Sequence, residues 1–352
     1  MSKFIKIGTA ALFIALIISL GVFAEGKQEA APAEKKAAQE QASENKSDSG
    51  EMSGTSDEDK KARQDADKTV DFVEVQWSDI ASTTAATRIV LEAMGYETTS
   101  KIVSVPLSIQ ALEEGDADVF LGVWLPSMGS IVNPRLEKGS IKEVRTNLTG
   151  AKYTLAVPSY VAKAGVTSFS DIAENADKFD RKIYGIEPGN DGNQLIQSMI
   201  DKDAFGLGNF ELIESSEAGM LTQVKSMVQD KEWIVFLGWE PHPMNTVYDI
   251  SYLSGGDDYF GADYGAATVH TIITPGYFDK NPNLKTFFNN LEFTLSMENS
   301  IMKDIADGAE ARTAAKKWLT NNPSILDTWL DGVYTADGEK EALPIVKKNL
   351  NI

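Results

Sequence analysis

From residue 71 onward, short apolar runs alternate with stretches in which apolar residues recur at helical spacing. The runs at 117–124 and 232–239 are continuous enough for buried strands, whereas Met220, Val224 and Met227 fall on one face of a helix. Strands that alternate with helices along the chain are typical of an α/β protein. The hydrophobic pattern therefore predicts an α/β fold for the chain after residue 70.

The same pattern gives the approximate position of each element. Strands are predicted at 70–77, 101–106, 117–124, 152–158, 182–188, 232–239 and 267–274. Helices are predicted at 83–97, 108–116, 192–206 and 217–231, over the segment that begins at Ser168, and through most of 282–330. Two sheets flanked by helices indicate two lobes. Since no long linker separates the elements, we expect lobes that share the chain discontinuously, with 71–150 and 255–352 in lobe 1 and 151–254 in lobe 2.

The N-terminus has the features of an export signal. Lys3 and Lys6 precede an apolar run that ends at Ala24, and the small residue at that end suits cleavage, so residues 1–24 are predicted to be a signal peptide. The alternative is an uncleaved membrane anchor, because the run is nearly long enough to span a bilayer. Either alternative places the remainder in the periplasm or another extracytoplasmic space.

Residues 25–70 differ in composition from the rest of the chain. The stretch from Glu25 to Lys68 contains one large apolar residue, Met52, and cannot bury enough surface to offset the ordering of its backbone. This segment is predicted to be a disordered tether. A solvated helix of a few turns in its Ala/Glu/Lys-rich part is the alternative.

Charge and cysteine content restrict the function further. The chain carries 52 acidic and 33 basic residues and a net charge of −19, which disfavours binding to nucleic acid or to anionic lipid and favours a small cation. It has no cysteine, which excludes disulfides, thiol catalysis, a lipid-modified cysteine and cysteine metal sites.

Three of the predicted strands end in tryptophan, at Trp77, Trp124 and Trp239. In open α/β sheets, ligands bind beyond the carboxyl ends of the strands, so these three indoles are predicted to line a cleft between the lobes. Gly122 and Gly238 are expected to leave room beside the indoles. Core packing is the alternative for any single tryptophan at a strand end, and it is the role expected of the remaining tryptophans, Trp233, Trp318 and Trp329.

A cage of aromatic rings favours one class of ligand. The faces of the rings carry negative quadrupole density and attract cations, and quaternary ammonium groups suit such cages because they have no hydrogen-bond donor to satisfy. The three tryptophans therefore predict a binding site for a quaternary ammonium compound.

Four phrases in the chain resemble the choline-binding and glycine-betaine-binding proteins of ABC importers. They are VQWSD (75–79), FLGVWLPSM (120–128), GIEPGNDGN (185–193) and LGWEPHPMN (237–245). The resemblance runs from about residue 71 to about 333 and implies the two-lobed type II periplasmic-binding-protein fold, with two mixed sheets flanked by helices and a hinge that the chain crosses twice. It also implies an extracytoplasmic receptor that delivers its ligand to a membrane-embedded ABC permease.

The resemblance implies a role for six residues. The four residues of the aromatic box are Trp77, Trp124, Tyr153 and Trp239. The two residues that hold the hydroxyl group of choline are Asp79 and Asn190. For Asp79 the alternative is an N-cap of a helix that starts near Ser82. Asn190 could instead serve only the turn in its glycine-rich loop.

Charge separates choline from betaines. Asp79 attracts a cation and repels a carboxylate, and the four phrases contain no arginine or lysine, so choline is the predicted ligand. Glycine betaine or proline betaine stays open as the alternative, because His242 could donate a hydrogen bond to a carboxylate. The alternative for His242 is a structural role in the turn between Pro241 and Pro243.

Enzymatic activity is not expected. The chain has two histidines, His242 and His270, and no G-x-S-x-G motif, which disfavours hydrolysis of choline esters. Two histidines alone are also too few for a zinc site. We therefore expect a monomeric binding protein without catalytic residues, metal or cofactor.

Overall fold

A computed structural model describes residues 57–352, in which strands and helices alternate as the sequence predicts. The predicted signal peptide (1–24) and the part of the predicted tether that precedes residue 57 lie outside the described residues. Of the helices in the described part of the chain, none combines the length and the apolar character needed to cross a bilayer.

The described residues contain nine strands. They are β1 (Thr69–Glu74), β2 (Glu97–Ile102), β3 (Val119–Leu125), β4 (Lys142–Pro158), β5 (Lys182–Tyr184), β6 (Glu211–Ile213), β7 (Phe236–Glu240), β8 (Ile250–Tyr252) and β9 (Ala266–Ile273).

Helices alternate with these strands along the chain. In chain order they are α1 (Asp57–Asp65), α2 (Ser78–Met94), α3 (Val105–Glu114), α4 (Gly129–Lys138), α5 (Ser159–Lys163), α6 (Phe169–Glu174), α7 (Asp191–Asp201), α8 (Glu217–Asp230), α9 (Met244–Val247), α10 (Asp257–Phe260), α11 (Ala262–Gly265), α12 (Tyr277–Lys280), α13 (Pro282–Asn290), α14 (Leu295–Ala306), α15 (Ala311–Asn321), α16 (Ile325–Trp329) and α17 (Ala342–Leu350). Two 3₁₀ turns, Ala176–Phe179 and Ala204–Gly206, complete them.

The strands form a mixed sheet in the order β2-β1-β3-β9-β4-β7-β5-β6, with β8 paired to β4. Parallel pairs lie toward the two ends, β1 with β2 and β3, and β5 with β6 and β7. Antiparallel pairs join them through β9 and β4. The mixed strand directions and flanking helices confirm the predicted fold class.

Strand β4 changes one detail of the prediction. The sequence predicts a strand at 152–158, whereas β4 begins at Lys142 and runs for 17 residues. Its first part pairs with β9 and its second with β7, so hydrogen bonding continues from one predicted sheet into the other. The assignment of 71–150 with 255–352 and of 151–254 to separate lobes stays a prediction.

The N-terminal end of the described chain departs from the predicted tether, which extended to residue 70. Residues 57–65 form the exposed helix α1, and β1 begins at Thr69. The Arg63 guanidinium group lies 4.1 Å from the centre of the Tyr334 ring, a cation–π contact that gives this polar helix a docking point. Composition alone does not reveal such a contact.

Helix α2 begins earlier than the pattern predicts. The run Ser82, Thr83 and Thr84 looks polar, yet all three side chains are buried and the Ser82 and Thr83 hydroxyls donate to backbone carbonyls one turn back. The helix ends at Gly95, whose φ of 100° gives the left-handed conformation of a C-cap. Its early start carries Asp79 into the first helical turn.

Candidate functional site

All six residues predicted to bind ligand line one cavity. The complete lining is Trp77, Asp79, Trp124, Tyr153, Ile186, Asn190, Asp191 and Trp239. Ile186 and Asp191 are additions that the sequence analysis missed. The cavity therefore combines four aromatic residues with two carboxylates and one amide.

Strand register brings two of the rings together. Tyr153 on β4 pairs directly with Trp239 on β7, which places both side chains on one face of the sheet, with ring centres 6.4 Å apart. Trp124, near the end of β3, lies 6.0 Å from the Tyr153 ring. Trp77 does not end a strand as predicted, because β1 stops at Glu74; it reaches the cavity from the N-cap position of α2.

The polar edges of two indoles are bound to protein carboxylates. Trp77 Nε1 donates to Glu187 Oε1 at 2.9 Å, and Trp124 Nε1 donates to Asp79 Oδ2 at 3.1 Å. A hydrogen bond at the edge fixes the ring and satisfies its donor, while the ring face keeps its negative quadrupole density. These rings can therefore offer faces rather than N–H groups to the cavity.

Glycine is required at one position beside the cage. A Cβ atom at Gly192 would lie 2.1 Å from the Tyr153 hydroxyl oxygen. By contrast, Gly122 and Gly238 do not serve the indoles as the sequence analysis expected. A Cβ at Gly122 would lie 2.6 Å from the Ile80 side chain, and one at Gly238 would lie 2.9 Å from the Ala156 side chain. These two glycines therefore allow neighbouring side chains to pack directly against the strand backbone.

Asp79 is a buried carboxylate and not a helix cap. It is the second residue of α2, whose N-cap is Trp77, so the alternative of an N-cap before Ser82 is wrong. Burial, and to a lesser extent the negative charge of Glu217, raises the pKa of Asp79 to about 7. Among the described residues, nothing hydrogen-bonds Asp79 Oδ1.

Asn190 caps helix α7 and also holds a box residue. Its Oδ1 accepts hydrogen bonds from the Gly192 backbone N–H at 2.8 Å and from the Tyr153 hydroxyl at 2.9 Å. Its Nδ2 donates to Glu187 Oε1 at 3.2 Å. The side-chain oxygen is fully used, so the amide nitrogen is the group that Asn190 can offer to a ligand.

His242 is not among the residues that line the cavity. Its Nδ1 accepts a hydrogen bond from the Met244 backbone N–H at 3.0 Å, which places the ring proton on Nε2, 3.2 Å from Glu217 Oε1. The ring packs against Trp239 with centres 4.9 Å apart. Both ring nitrogens are thus engaged by protein groups, and neither is available for a ligand carboxylate.

Three further acidic residues lie near the cage. Burial raises the pKa of Glu187, and burial together with the nearby Asp79 raises the pKa of Glu298 well above its usual range. Glu217 accepts a hydrogen bond from the Ser78 backbone N–H at 3.1 Å. The surroundings of the cavity are rich in carboxylates and contribute no lysine or arginine to its lining.

The remaining tryptophans lie elsewhere. Trp329 is fully buried, with its Nε1 donating to the Glu292 carbonyl at 3.0 Å. Trp233 and Trp318 are half-buried and pack against the edge of the core. None of the three lines the cavity.

Known proteins with similar sequences and structures point to one family. A family model described as the substrate binding domain of the ABC-type glycine betaine transport system matches residues 68–321, well over half of the chain. A choline-binding protein of an ABC transporter, solved in complex with choline, is 50% identical with a TM-score of 0.79, over 80% of this chain and 98% of that one.

Two more solved structures are similar. An ABC-transporter choline-binding protein in an unliganded, semi-closed conformation is also 50% identical, with a TM-score of 0.75, over 81% of this chain and 99% of that one. Lactococcal OpuAC, solved in a closed conformation with glycine betaine, is 26% identical with a TM-score of 0.67, over 75% of this chain and 99% of that one.

Proposed function

The chain belongs to the family of substrate-binding domains of ABC-type glycine betaine transport systems, and from this premise we propose that it captures choline outside the cytoplasm and delivers it to a membrane-embedded ABC permease. The family is one of transport proteins and not of enzymes. The observation that carries the proposal is the single cavity lined by Trp77, Trp124, Tyr153 and Trp239 together with two carboxylates.

The rings suit the methylated end of choline. A desolvated contact between a cation and an aromatic face contributes about 1–2 kcal/mol, so four rings supply about 4–8 kcal/mol. A micromolar site requires about 8 kcal/mol. The box and one or two polar contacts are therefore sufficient for a receptor that works at micromolar choline.

The polar groups suit the other end of choline. A hydroxyl group both donates and accepts one hydrogen bond readily. Asp79 Oδ1 is a buried acceptor without a partner among residues 57–352, and Asn190 Nδ2 is a donor. A choline hydroxyl that donates to Asp79 and accepts from Asn190 would satisfy both groups.

Glycine betaine or proline betaine is the second candidate. The description of the family and the betaine bound by lactococcal OpuAC favour it. The charge of the cavity opposes it, because a betaine carboxylate would enter a space lined by Asp79 and Asp191 without an arginine, a lysine or a free histidine nitrogen. Choline has the net positive charge that this lining suits.

We further propose that the ligand is enclosed by hinge closure between the two predicted lobes. Two hydrogen bonds support this mechanism because each joins segments assigned to different lobes: Trp77 with Glu187, and the Ser78 N–H with Glu217. A ligand that contacts both halves of the box stabilises the closed arrangement over the open one.

The test is calorimetric titration of the purified protein with choline, glycine betaine, proline betaine and carnitine. We expect micromolar binding of choline and substantially weaker binding of the zwitterionic ligands. Absence of heat at millimolar choline would refute the proposal. Equal displacement of choline by glycine betaine at equal concentration would favour the second candidate instead.

A further inference from the structure

Asp191 is a carboxylate in the cavity lining that no positively charged group in the described part of the chain pairs with. It is the first residue of α7, 2% exposed, and follows Asn190 directly. Neither of its carboxylate oxygens has a hydrogen-bond partner within the described part of the chain. The Ser127 hydroxyl donates to the Trp124 carbonyl at 3.3 Å. This hydroxyl and the backbone N–H groups of Asp191 and Gly192 lower the pKa of Asp191, but by less than burial raises it.

Asp79 in the lining and Glu187 just behind it differ from Asp191 in their hydrogen bonds. Asp79 accepts the indole N–H of Trp124, and Glu187 accepts the indole N–H of Trp77. Each of these two residues thus has one oxygen hydrogen-bonded to an indole N–H, whereas Asp191 is stabilised only by the more weakly placed Ser127 hydroxyl and the backbone N–H groups of Asp191 and Gly192. A buried ionised carboxylate without a partner is costly, so its presence at a cavity calls for a positive charge from elsewhere.

A purely structural role accounts for only part of this arrangement. An acidic residue in the first turn interacts favourably with the helix dipole, and that interaction amounts to a fraction of the cost of burying an unpaired carboxylate. Helix α7 already has its cap in Asn190, which accepts from the Gly192 and Asn193 N–H groups. The helix therefore has no evident need for an additional buried charge that faces a cavity.

We propose that Asp191 is a specificity-determining residue, a second carboxylate besides Asp79 that compensates the positive charge of the bound ammonium group. This inference rests on the proposed function, and it adds a residue and a physical basis for ligand selection. The aromatic faces accept any ligand of the right shape with some affinity, because much of their contribution is apolar contact. Asp191 makes the site discriminate by charge.

Two features place the Asp191 charge close to the cage. Its negative charge is, after burial, the largest cause of the raised pKa of Tyr153, one of the box rings. The Tyr153 hydroxyl also lies against Gly192, the next residue in the chain. Burial raises the pKa of Asp191 itself to about 6, so the carboxylate is mostly ionised at neutral pH and a bound cation would favour that form further.

The test compares choline with 3,3-dimethyl-1-butanol, in which a neutral carbon replaces the ammonium nitrogen and the shape is kept. Binding of both ligands is measured for the wild-type protein and for Asp191→Asn. We expect the substitution to weaken choline binding about tenfold or more while leaving the neutral ligand unchanged or better bound. The ratio of the two affinities therefore falls.

The matched control is Asp201→Asn, the same change on an exposed residue at the other end of α7; it should alter neither affinity. Melting temperatures establish that each variant is folded. Should Asp191→Asn not fold, Asp191→Ser, which is smaller and suits a helix N-terminus, provides the same comparison.

The outcomes separate the two proposals. If the wild-type protein fails to bind choline, the proposed function is wrong and this inference falls with it. If the wild-type protein binds choline and the folded Asp191 variant binds it equally well, or loses both ligands in the same proportion, only the role of Asp191 is refuted.

Discussion

The Tyr153 hydroxyl group donates a hydrogen bond of 2.9 Å to Asn190 Oδ1, and the same oxygen caps helix α7. One amide thus links the ring of a box residue to the start of a helix. The orientation of Tyr153 in the cavity and the stability of α7 depend on the same side chain.

Asn190→Ala should consequently have two effects. Loss of the cap should reduce the free energy of unfolding by about 0.5–2 kcal/mol. Loss of the amide donor and of the Tyr153 anchor should weaken choline binding about threefold to tenfold. Chemical denaturation and calorimetry measure the two effects. Thr294→Ala, which removes the cap of α14, is the control: it should lower stability comparably and leave affinity unchanged.

Trp124→Ala should weaken choline binding roughly tenfold, because one ring contact of about 1–2 kcal/mol is lost. Trp124→Phe keeps a ring but lacks the N–H group that Asp79 accepts, and its affinity should lie between those of the wild type and the alanine variant. Trp318→Ala, at a half-buried residue outside the cavity, should bind choline normally. An alanine variant of Trp124 with unchanged affinity would contradict the aromatic box.

Glu217 connects two segments that the proposed hinge would separate. It accepts from the Ser78 N–H through Oε2 and faces the Nε2–H of His242 through Oε1. In Glu217→Gln one oxygen becomes an NH₂ group, which must face one of the two donors, either the Ser78 N–H or the His242 Nε2–H that the Met244 N–H fixes.

We expect Glu217→Gln to favour the open arrangement. Small-angle scattering should give a larger radius of gyration for the unliganded variant, and stopped-flow fluorescence should show faster release of choline. Glu211→Gln, on an exposed residue at the start of β6, is the control. Identical scattering and release rates in the two variants would exclude a role for Glu217 in closure.

The affinity for choline should rise with pH between about 5 and 8. The pKa values of Asp79 and Asp191 are raised to about 7 and about 6, and a cation favours the ionised form of each. The titratable groups near Asp79 are Glu217 and Glu298, and those near Asp191 are Glu187 and Tyr153. The cavity lining has no basic group that would oppose the rise of choline affinity with pH. An affinity that stays constant over this range would contradict the assignment.

Stability should change in the opposite direction. A carboxyl group whose pKa is raised in the folded state contributes to the stability of the folded protein, and this contribution is complete below its unfolded pKa of about 4. The contribution is lost as the pH rises through the pKa of the folded state. For Asp79 the window therefore extends from about pH 4 to about 7. Asp79→Asn should gain stability relative to the wild type over this window, measured by chemical denaturation at pH 4 and pH 8.

Much of the fold could be predicted because its signals are local. The buried strands β3, β7 and β9 appear as continuous apolar runs, and Gly95 and Gly115 end their helices in the left-handed conformation that glycine adopts readily. Weaker signals were missed. The three-residue strands β6 and β8 are too short for a pattern, and α17 falls beyond the region expected to be helical.

The residues that the sequence analysis missed at the site had faint signals. Asp191 stands directly after Asn190 in the phrase GIEPGNDGN, but an aspartate in a glycine-rich loop is usually a turn residue. Glu217 begins a helix, where glutamate is common. Asp191 is distinguished from an ordinary turn residue by its burial in the cavity lining. Glu217 is distinguished from an ordinary helix-start residue by its hydrogen bond to the distant Ser78 N–H.

The sequence by itself determined which side chains the strands deliver, because strand ends, turns and helix caps depend on neighbouring residues. It placed Trp124 and Trp239 at strand ends and Trp77 just after a strand, and its phrases identified the family. Tertiary structure decided how these side chains meet. The register of β4 against β7 pairs Tyr153 with Trp239. The Trp77–Glu187 and Ser78–Glu217 hydrogen bonds span 110 and 139 residues. Contacts of that separation depend on the packing of the whole chain, and so does the burial that raises the pKa of the carboxyl groups.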